Sequence, residues 1–327
     1  MNPLELILKR RVHPRAFVPE TLFSLTARYA CPTISGNSEG GPMAERISPT
    51  LRRRRLAARL RQLREQAGLK VEEVARVVEW TPSKVVWIEG NRGKRPNPRD
   101  VRDLCDAYGV GDEREREYLV QLARDGRQRG WWDPYDAMLS ERYATYIGLE
   151  AEAAEVLNFE PLMIPGLLQT ADYARALFRG PFSEIGKEEA EARVEVRLKR
   201  QEALHQKPPL RLVAILDEAA LHRQVGGPDV MRAQLEHLLE ATKLPRVTIQ
   251  VIPYGAGAHP SMTGGFAVLK FPEPDDPTAV YVDTPAGQLF IEEPGEIDRF
   301  QVAFQHLLGS AASPGDTITL LADMARA

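Results

Sequence analysis

Apolar positions in the first third of the chain recur at helical spacing in five short runs. Ser48 is placed to cap a helix and Pro49 to open it, and Leu56, Leu60, Leu63 and Ala67 then fall on one face before Gly68 stops the run. Val71, Val74, Ala75 and Val78 form a second, shorter stripe. After Glu79-Trp80, Thr81 can cap a third helix with Pro82 in its first turn and Val85 and Ile88 facing inward. The tract from Arg92 to Pro98 reads as a loop, Pro98 opens a fourth helix carrying Val101, Leu104 and Tyr108, and Gly109 ends it. A fifth begins at Asp112 and carries Tyr118, Leu119 and Leu122. Together they predict a compact all-α domain.

Past the linker Arg127-Gln128-Arg129-Gly130 the pattern changes. Trp131 to Phe159 reads as helix, with Tyr143, Ile147 and Ala151 on one side, and two further helices follow over 167–178 and 187–204. Apolar runs at 210–216 and 247–252, separated by a helical stretch near 230–239, predict a strand, helix, strand unit with a parallel pair. Short strands at 266–271, 279–283 and 288–292 come next at hairpin spacing, and helices over 296–308 and 317–327 close the chain. The expected fold class is α plus α/β: an N-terminal five-helix domain, then a mixed α/β domain with a helical lead-in.

Charge separates along the same boundary. The net charge of the chain is −3, yet residues 44–130 hold 21 Lys and Arg against 14 Asp and Glu, while residues 131–327 hold 17 against 29. A basic module joined to an acidic one suggests that only the first meets phosphates. Residues 1–46 mix Pro, Gly, Ser and Arg without a period, so disorder, an extension, or a basic arm is expected there. Cys31 and Cys105 have no metal-site spacing and are expected to be free thiols. No run approaches the length a membrane helix needs and no signal peptide is apparent, so a cytoplasmic protein is expected.

The third helix carries the candidate chemistry. With Val85 and Ile88 anchoring it and Ala75 giving close approach to the second helix, Thr81, Pro82, Ser83, Val86 and Trp87 point toward a DNA major groove and Lys84 toward the flanking backbone. Arg92, Lys94, Arg95 and Arg99 crowd the following loop and helix start, where a phosphate clamp would lie, and Arg52 to Arg55 add charge on the first helix. The same packing would also serve a protein-interaction bundle, and Trp87 reads equally as a base contact or as a partly buried core aromatic. Residues 50–111 resemble the Cro/C1-type (XRE-family) helix-turn-helix, carried by Leu69 to Ala75, Trp80 to Val85, and Ile88-Glu89. The resemblance implies a lambda-repressor-like domain that binds double-stranded DNA, with Glu89 supporting the loop behind the recognition helix. Two departures stand out: Glu79 occupies the place usually taken by glycine in the turn, and Asn91 follows Gly90 where the glycine usually comes one residue later.

Trp131-Trp132-Asp133, Ile164 to Thr170 with Tyr173-Ala174, Arg200-Gln201, Leu216-Asp217-Glu218, and His259 with Gly264-Gly265-Phe266 resemble actinobacterial WhiJ-like regulators, whose C-terminal domain is termed DUF5753. That resemblance implies transcription control and supplies no ligand. Gln169, Thr170, Tyr173 and His259 are candidate ligand contacts, although Pro165-Gly166 before Leu167 also reads as a plain helix entry. Arg193, Arg197 and Arg200 among the glutamates of 188–195 read as a solvated or dimer-forming face. Asp217, Glu218 and His222 give too few ligands for a metal, and no GxGxxG, Walker, GxSxG or HExxH motif occurs. No cofactor and no catalysis are therefore expected.

The sequence thus divides into 1–46, a DNA-binding domain over 47–111, a connecting helix and linker over 112–130, and a ligand- or partner-binding and dimerisation domain over 131–327. The expected function is a sequence-specific homodimeric regulator that senses a small molecule or a partner. The alternative is an antitoxin-like protein that captures a small acidic partner and autoregulates its operon.

Overall fold

The computed structural model describes residues 48–91, 95–180, 185–274, 276–284 and 286–326. The expectations for residues 1–46, Cys31, Arg92 and Lys94 lie outside these.

Five helices build the N-terminal domain: α1 (Pro49–Gln66), α2 (Val71–Val77), α3 (Pro82–Glu89), α4 (Pro98–Ala107) and α5 (Glu113–Asp125). Local chemistry sets their ends. Ser48, Thr81, Asn97 and Asp112 each accept from a backbone N–H of the first turn, and Pro occupies the first position of α1, α3 and α4, where its missing N–H costs nothing. Leu56, Leu60, Val74, Val85, Val101, Leu104, Leu119 and Leu122 bury together as one core. Because α5 contributes four buried residues to it, this helix packs within the five-helix core that its apolar spacing predicts, beyond the boundary set at 111.

The turn between α2 and α3 explains how Glu79 is accommodated. Glu79 takes φ 56°, and Trp80 N–H donates to the Ala75 carbonyl at 2.8 Å while Val78 N–H donates to Val74. That is the left-handed helix stop usually given to glycine, made here by a glutamate. Asn91 ends α3 in the same conformation, φ 49°.

The C-terminal domain is a six-stranded sheet in the order β3-β2-β1-β4-β5-β6: β1 (Glu155–Glu160), β2 (Arg211–Asp217), β3 (Val247–Ile252), β4 (Phe266–Lys270), β5 (Ala279–Thr284) and β6 (Gly287–Ile291). β1, β2 and β3 are parallel, and β4, β5 and β6 continue antiparallel from β1. The parallel β2–β3 pair agrees with the strand, helix, strand expectation. β1 corrects it: the helix expected over 131–159 is only α6 (Glu141–Glu150), and the last five of those residues plus Glu160 form a central strand. The segment Val156-Leu157-Asn158-Phe159 is too rich in strand-forming residues, and too soon cut by Pro161, to continue a helix.

Helices cover both faces. α7 (Ala171–Phe178), α8 (Lys187–Gln201), α10 (Pro228–Ala241) and α12 (Pro314–Arg326) accompany α6 on the side of Val156, Leu212, Ala214 and Ala267. α11 (Pro294–Ser310) packs Ile297, Phe304 and Leu307 against Phe159, Val213 and Val268 on the other. A short α9 (Glu218–His222) follows β2.

α1 belongs to both domains. Leu56 and Leu60 sit in the helical core, whereas Leu51, one turn earlier, is fully buried in the core of the sheet domain beside Tyr146 and Leu149. Ser48 N–H donates to Glu152 and Ser48 Oγ to the Gly148 carbonyl at 2.7 Å. A Cβ at Gly148 would collide with Thr50 and Trp132, so this close approach of α1 and α6 needs glycine. Among the described residues no helix is long and apolar enough to cross a membrane.

Candidate nucleic-acid interface and ligand cavity

α3 presents its outer side to solvent. Val85 and Ile88 are buried, which turns Thr81, Pro82, Ser83, Val86 and Trp87 outward, with Trp87 56% and Val86 45% exposed. Trp87 is therefore not a core aromatic. Lys84 is held inside the domain instead of reaching freely: its Nζ lies 2.8 Å from Asp100 and 3.4 Å over the Trp80 ring. Arg99 is exposed at the start of α4, while Arg95 donates to the carbonyls of Arg127 and Gln128 and so ties its loop to the end of α5.

Behind this surface, Glu89 is buried and accepts from Arg64 Nε at 2.8 Å and from Tyr108 Oη at 2.6 Å, locking α3 to α1 and α4. Burial and this bond together push the Tyr108 phenol far up. The role expected of Glu89 is thus a structural brace.

The arginine run of α1 does something the sequence reading missed. Arg54 and Arg52 are buried, Arg54 pairs with Glu292 at 2.7 Å and donates to the Thr278 carbonyl at 2.9 Å, and Arg55 grips Asp276. The Arg54 and Arg55 guanidiniums fasten the helical domain to the sheet domain and are not available to phosphates. A charge run is commonly a solvated face, and only the tertiary positions of Asp276 and Glu292 reveal otherwise.

A cavity of about 540 Å³ opens at one end of the sheet, beside the carboxyl ends of β1 and β5. Open α/β sheets place ligand sites at such ends. Period-two alternation brings Val156, Asn158 and Glu160 of β1 onto the cavity side. Tyr143 and Tyr146 of α6, Arg197 and Arg200 of α8, and Tyr281 and Asp283 of β5 complete the polar wall. Beneath it, Arg200 and Glu150 form a buried bidentate pair at 2.7 and 2.8 Å, with Tyr146 Oη donating to Glu150 and Arg200 donating to Tyr143 Oη at 2.6 Å. Burial raises the Tyr143 phenol, but the guanidiniums of Arg200 and Arg197 outweigh it and hold the group below its usual value. Burial pushes the Glu160 carboxyl up to about 7 against the pull of Asn158 and Arg197.

The four residues expected at a ligand do not gather here. Gln169 lines the cavity, its Oε1 accepting from Arg197 at 2.6 Å and its Nε2 donating to the Ile164 carbonyl. Thr170 caps α7, and Tyr173 is fully buried with Ile164 N–H donating to its Oη at 3.1 Å. His259 lies on the other face of the sheet, edge-on to Phe159 and 3.4 Å from Asp217. Two of the three arginines of α8 correct a second expectation: Arg200 is buried and Arg197 faces the cavity, while Arg193 pairs with Glu189 on the helix itself, so the row is not wholly a solvated face. Their spacing of three and four was the available signal; what it could not give was which side of α8 is inside.

Comparison with known families agrees with both halves. A helix-turn-helix domain matches over residues 55–119, and a domain of unknown function, DUF5753, over 143–323. The chain belongs to the DUF5753 family. With its helix-turn-helix it is a DNA-binding regulator, as the resemblance implied. The helix-turn-helix match runs into α5, in keeping with the shared core. The DUF5753 match begins at Tyr143, so it takes in the whole sheet and the cavity, and the Trp131–Arg142 lead-in precedes it. Neither the curated proteins nor the solved structures give a match to the chain.

Proposed function

We propose that this DUF5753 protein is a sequence-specific transcription regulator whose C-terminal domain senses a small ligand and transmits its presence to the recognition helix. The observation that carries the coupling is the double membership of α1, with Leu51 in one core and Leu56 and Leu60 in the other. A change in packing around α6, which lines the cavity through Tyr143 and Tyr146 and contacts α1 through Gly148, reaches the DNA-binding domain through a rigid helix. Thr81, Pro82, Ser83, Val86 and Trp87 read base edges, and Arg99, with Arg92, Lys94 and Arg95 of the preceding loop, meets phosphates. Lys84 positions Trp80 and the start of α4. Two copies bind half-sites about 34 Å apart, since one small helix-turn-helix buries too little surface for useful specificity.

The test is direct. Fluorescence anisotropy with a fragment of the chain's own promoter region should give tight binding that weakens steeply with salt, and sedimentation of the complex should give two chains per duplex. Equal affinity for random fragments would overturn the reading.

A further inference from the structure

The cavity of the DUF5753 domain contains polar groups whose needs are not met by the protein. Tyr281 is 7% exposed, lines the cavity, and its Oη has no hydrogen-bond partner among the described residues, an unfavourable state for a buried hydroxyl unless something else supplies one. Its ring is fixed, stacked on Tyr146 at 4.1 Å and tilted against Phe290 at 5.4 Å, so the hydroxyl cannot swing away to find one. Arg197 is the second. Its Nη1 donates to the neutral Gln169, its buried Nε has no partner, and it pairs with no carboxylate among the described residues. Arg200 beside it has its counter-charge in Glu150.

Acidic groups of the same wall are also unpaired. Glu160 and Asp283 form no ion pair among the described residues, though each lines the cavity with Arg197. Val156, Leu167, Leu212, Phe266 and Ala267 supply the apolar lining between them. A guanidinium and two carboxyls, none of them in an ion pair, around an apolar space are poorly met by water alone and well met by one molecule carrying the complementary set.

Resting on the sensing role above, we infer that the cavity takes a small amphoteric molecule: an acidic oxygen group on Arg197 and the Tyr281 hydroxyl, an ammonium on Glu160 and Asp283, and an apolar body against Val156, Leu167 and Phe266. An amino acid with a large aromatic side chain is the simplest member of this class. The volume, about 540 Å³, accommodates one with room to spare.

The test uses the full chain and three probes sharing one ring: L-tryptophan, tryptamine and indole-3-propionate. Calorimetry should give tryptophan binding at least about tenfold tighter than either half-molecule. Arg197→Gln should remove the advantage of tryptophan over tryptamine, and Glu160→Gln its advantage over indole-3-propionate. Tyr281→Phe, which keeps the ring stacking and so the fold, should weaken tryptophan about fivefold or more. No heat with any probe up to about 10 mM, equal affinity for all three, or unchanged binding by the Arg197 and Glu160 variants would overturn the assignment. Promoter binding measured on the same samples separates the two claims: a protein that binds its promoter but no probe refutes the ligand class alone, and one that binds neither refutes the regulator as well.

Discussion

Arg55 Nε and Nη2 hold the two oxygens of Asp276 at 2.7 and 2.5 Å, a two-point clasp between α1 and the loop before β5. The Asp276 side chain is 1% exposed, so its charge has little recourse to water. Removing one member of such a pair leaves an uncompensated buried charge. Arg55→Ala should therefore cost about 3 kcal/mol in urea denaturation, whereas joint replacement of Arg55 by Met and Asp276 by Leu should restore most of it. Limited proteolysis should become faster between α5 and α6 in the single variant. If the single variant unfolds at the wild-type midpoint, the clasp does not hold the domains together.

Trp87 offers the cleanest separation of stability from recognition. With 56% of its surface in solvent, Trp87→Ala should change folding stability by no more than about 0.5 kcal/mol. Promoter affinity should nevertheless fall on the order of tenfold or more, with specificity relaxed at one base position. Arg99 should behave differently. Its guanidinium is exposed and is proposed to meet phosphate, so Arg99→Ala should weaken all sequences alike and reduce the salt slope by about one. Anisotropy titrations over a salt series distinguish these outcomes, and a uniform loss at Trp87 would remove it from base reading.

The helical domain was legible because its rules are local. Caps, prolines and three-and-four spacing fixed α1 to α4 and turned Val85 inward, which by itself exposes Val86 and Trp87. Glu79 was readable as an anomaly, though only the backbone reveals that it pays for a left-handed φ. The cavity was not legible in the same way. Arg197, Tyr281 and Glu160 come from a helix and two strands far apart in sequence, and their meeting depends on β1 lying between β2 and β4. Because β1 read as the tail of a helix, the strand that organises the site was hidden, and attention fell on the Gln169-to-Tyr173 segment. Arg54 and Arg55 show the same limit: a basic run looks alike whether its partners are phosphates or Glu292 and Asp276.

The turn before the recognition helix should be improvable. Glu79 is exposed and sits at φ 56°, a conformation that costs a residue with a Cβ about 1 kcal/mol or more. Glycine adopts it freely but loses more entropy on folding. The balance favours Glu79→Gly by about 0.5 kcal/mol. Urea midpoints measure the gain, and promoter affinity should stay the same because the turn's backbone is unchanged. A loss of stability would mean that the Glu79 side chain contributes a contact that outweighs the strain.

Glu152 makes the joint between the domains sensitive to pH. Burial, chiefly, raises its carboxyl to about 7, although the Ser48 N–H, Arg52 and Arg55 oppose this and Asp276 adds to it. In the unfolded chain the group titrates near its ordinary 4.5. Between those values the folded state keeps a proton that the unfolded state has released. Its contribution to stability is therefore complete below pH about 4.5, declines as the pH rises through this window, and is gone above about 7, a swing of at most about 3 kcal/mol. Glu152→Gln keeps an oxygen for Ser48 N–H and has nothing to titrate. Denaturation at pH 5 and pH 8 should show wild type losing more stability than the variant, and the variant should be the more stable protein at pH 8. Because Glu160 titrates in the same range in both proteins, the difference between them isolates Glu152. Parallel pH profiles would place the proton elsewhere and leave the Ser48 contact a simple hydrogen bond to a carboxylate.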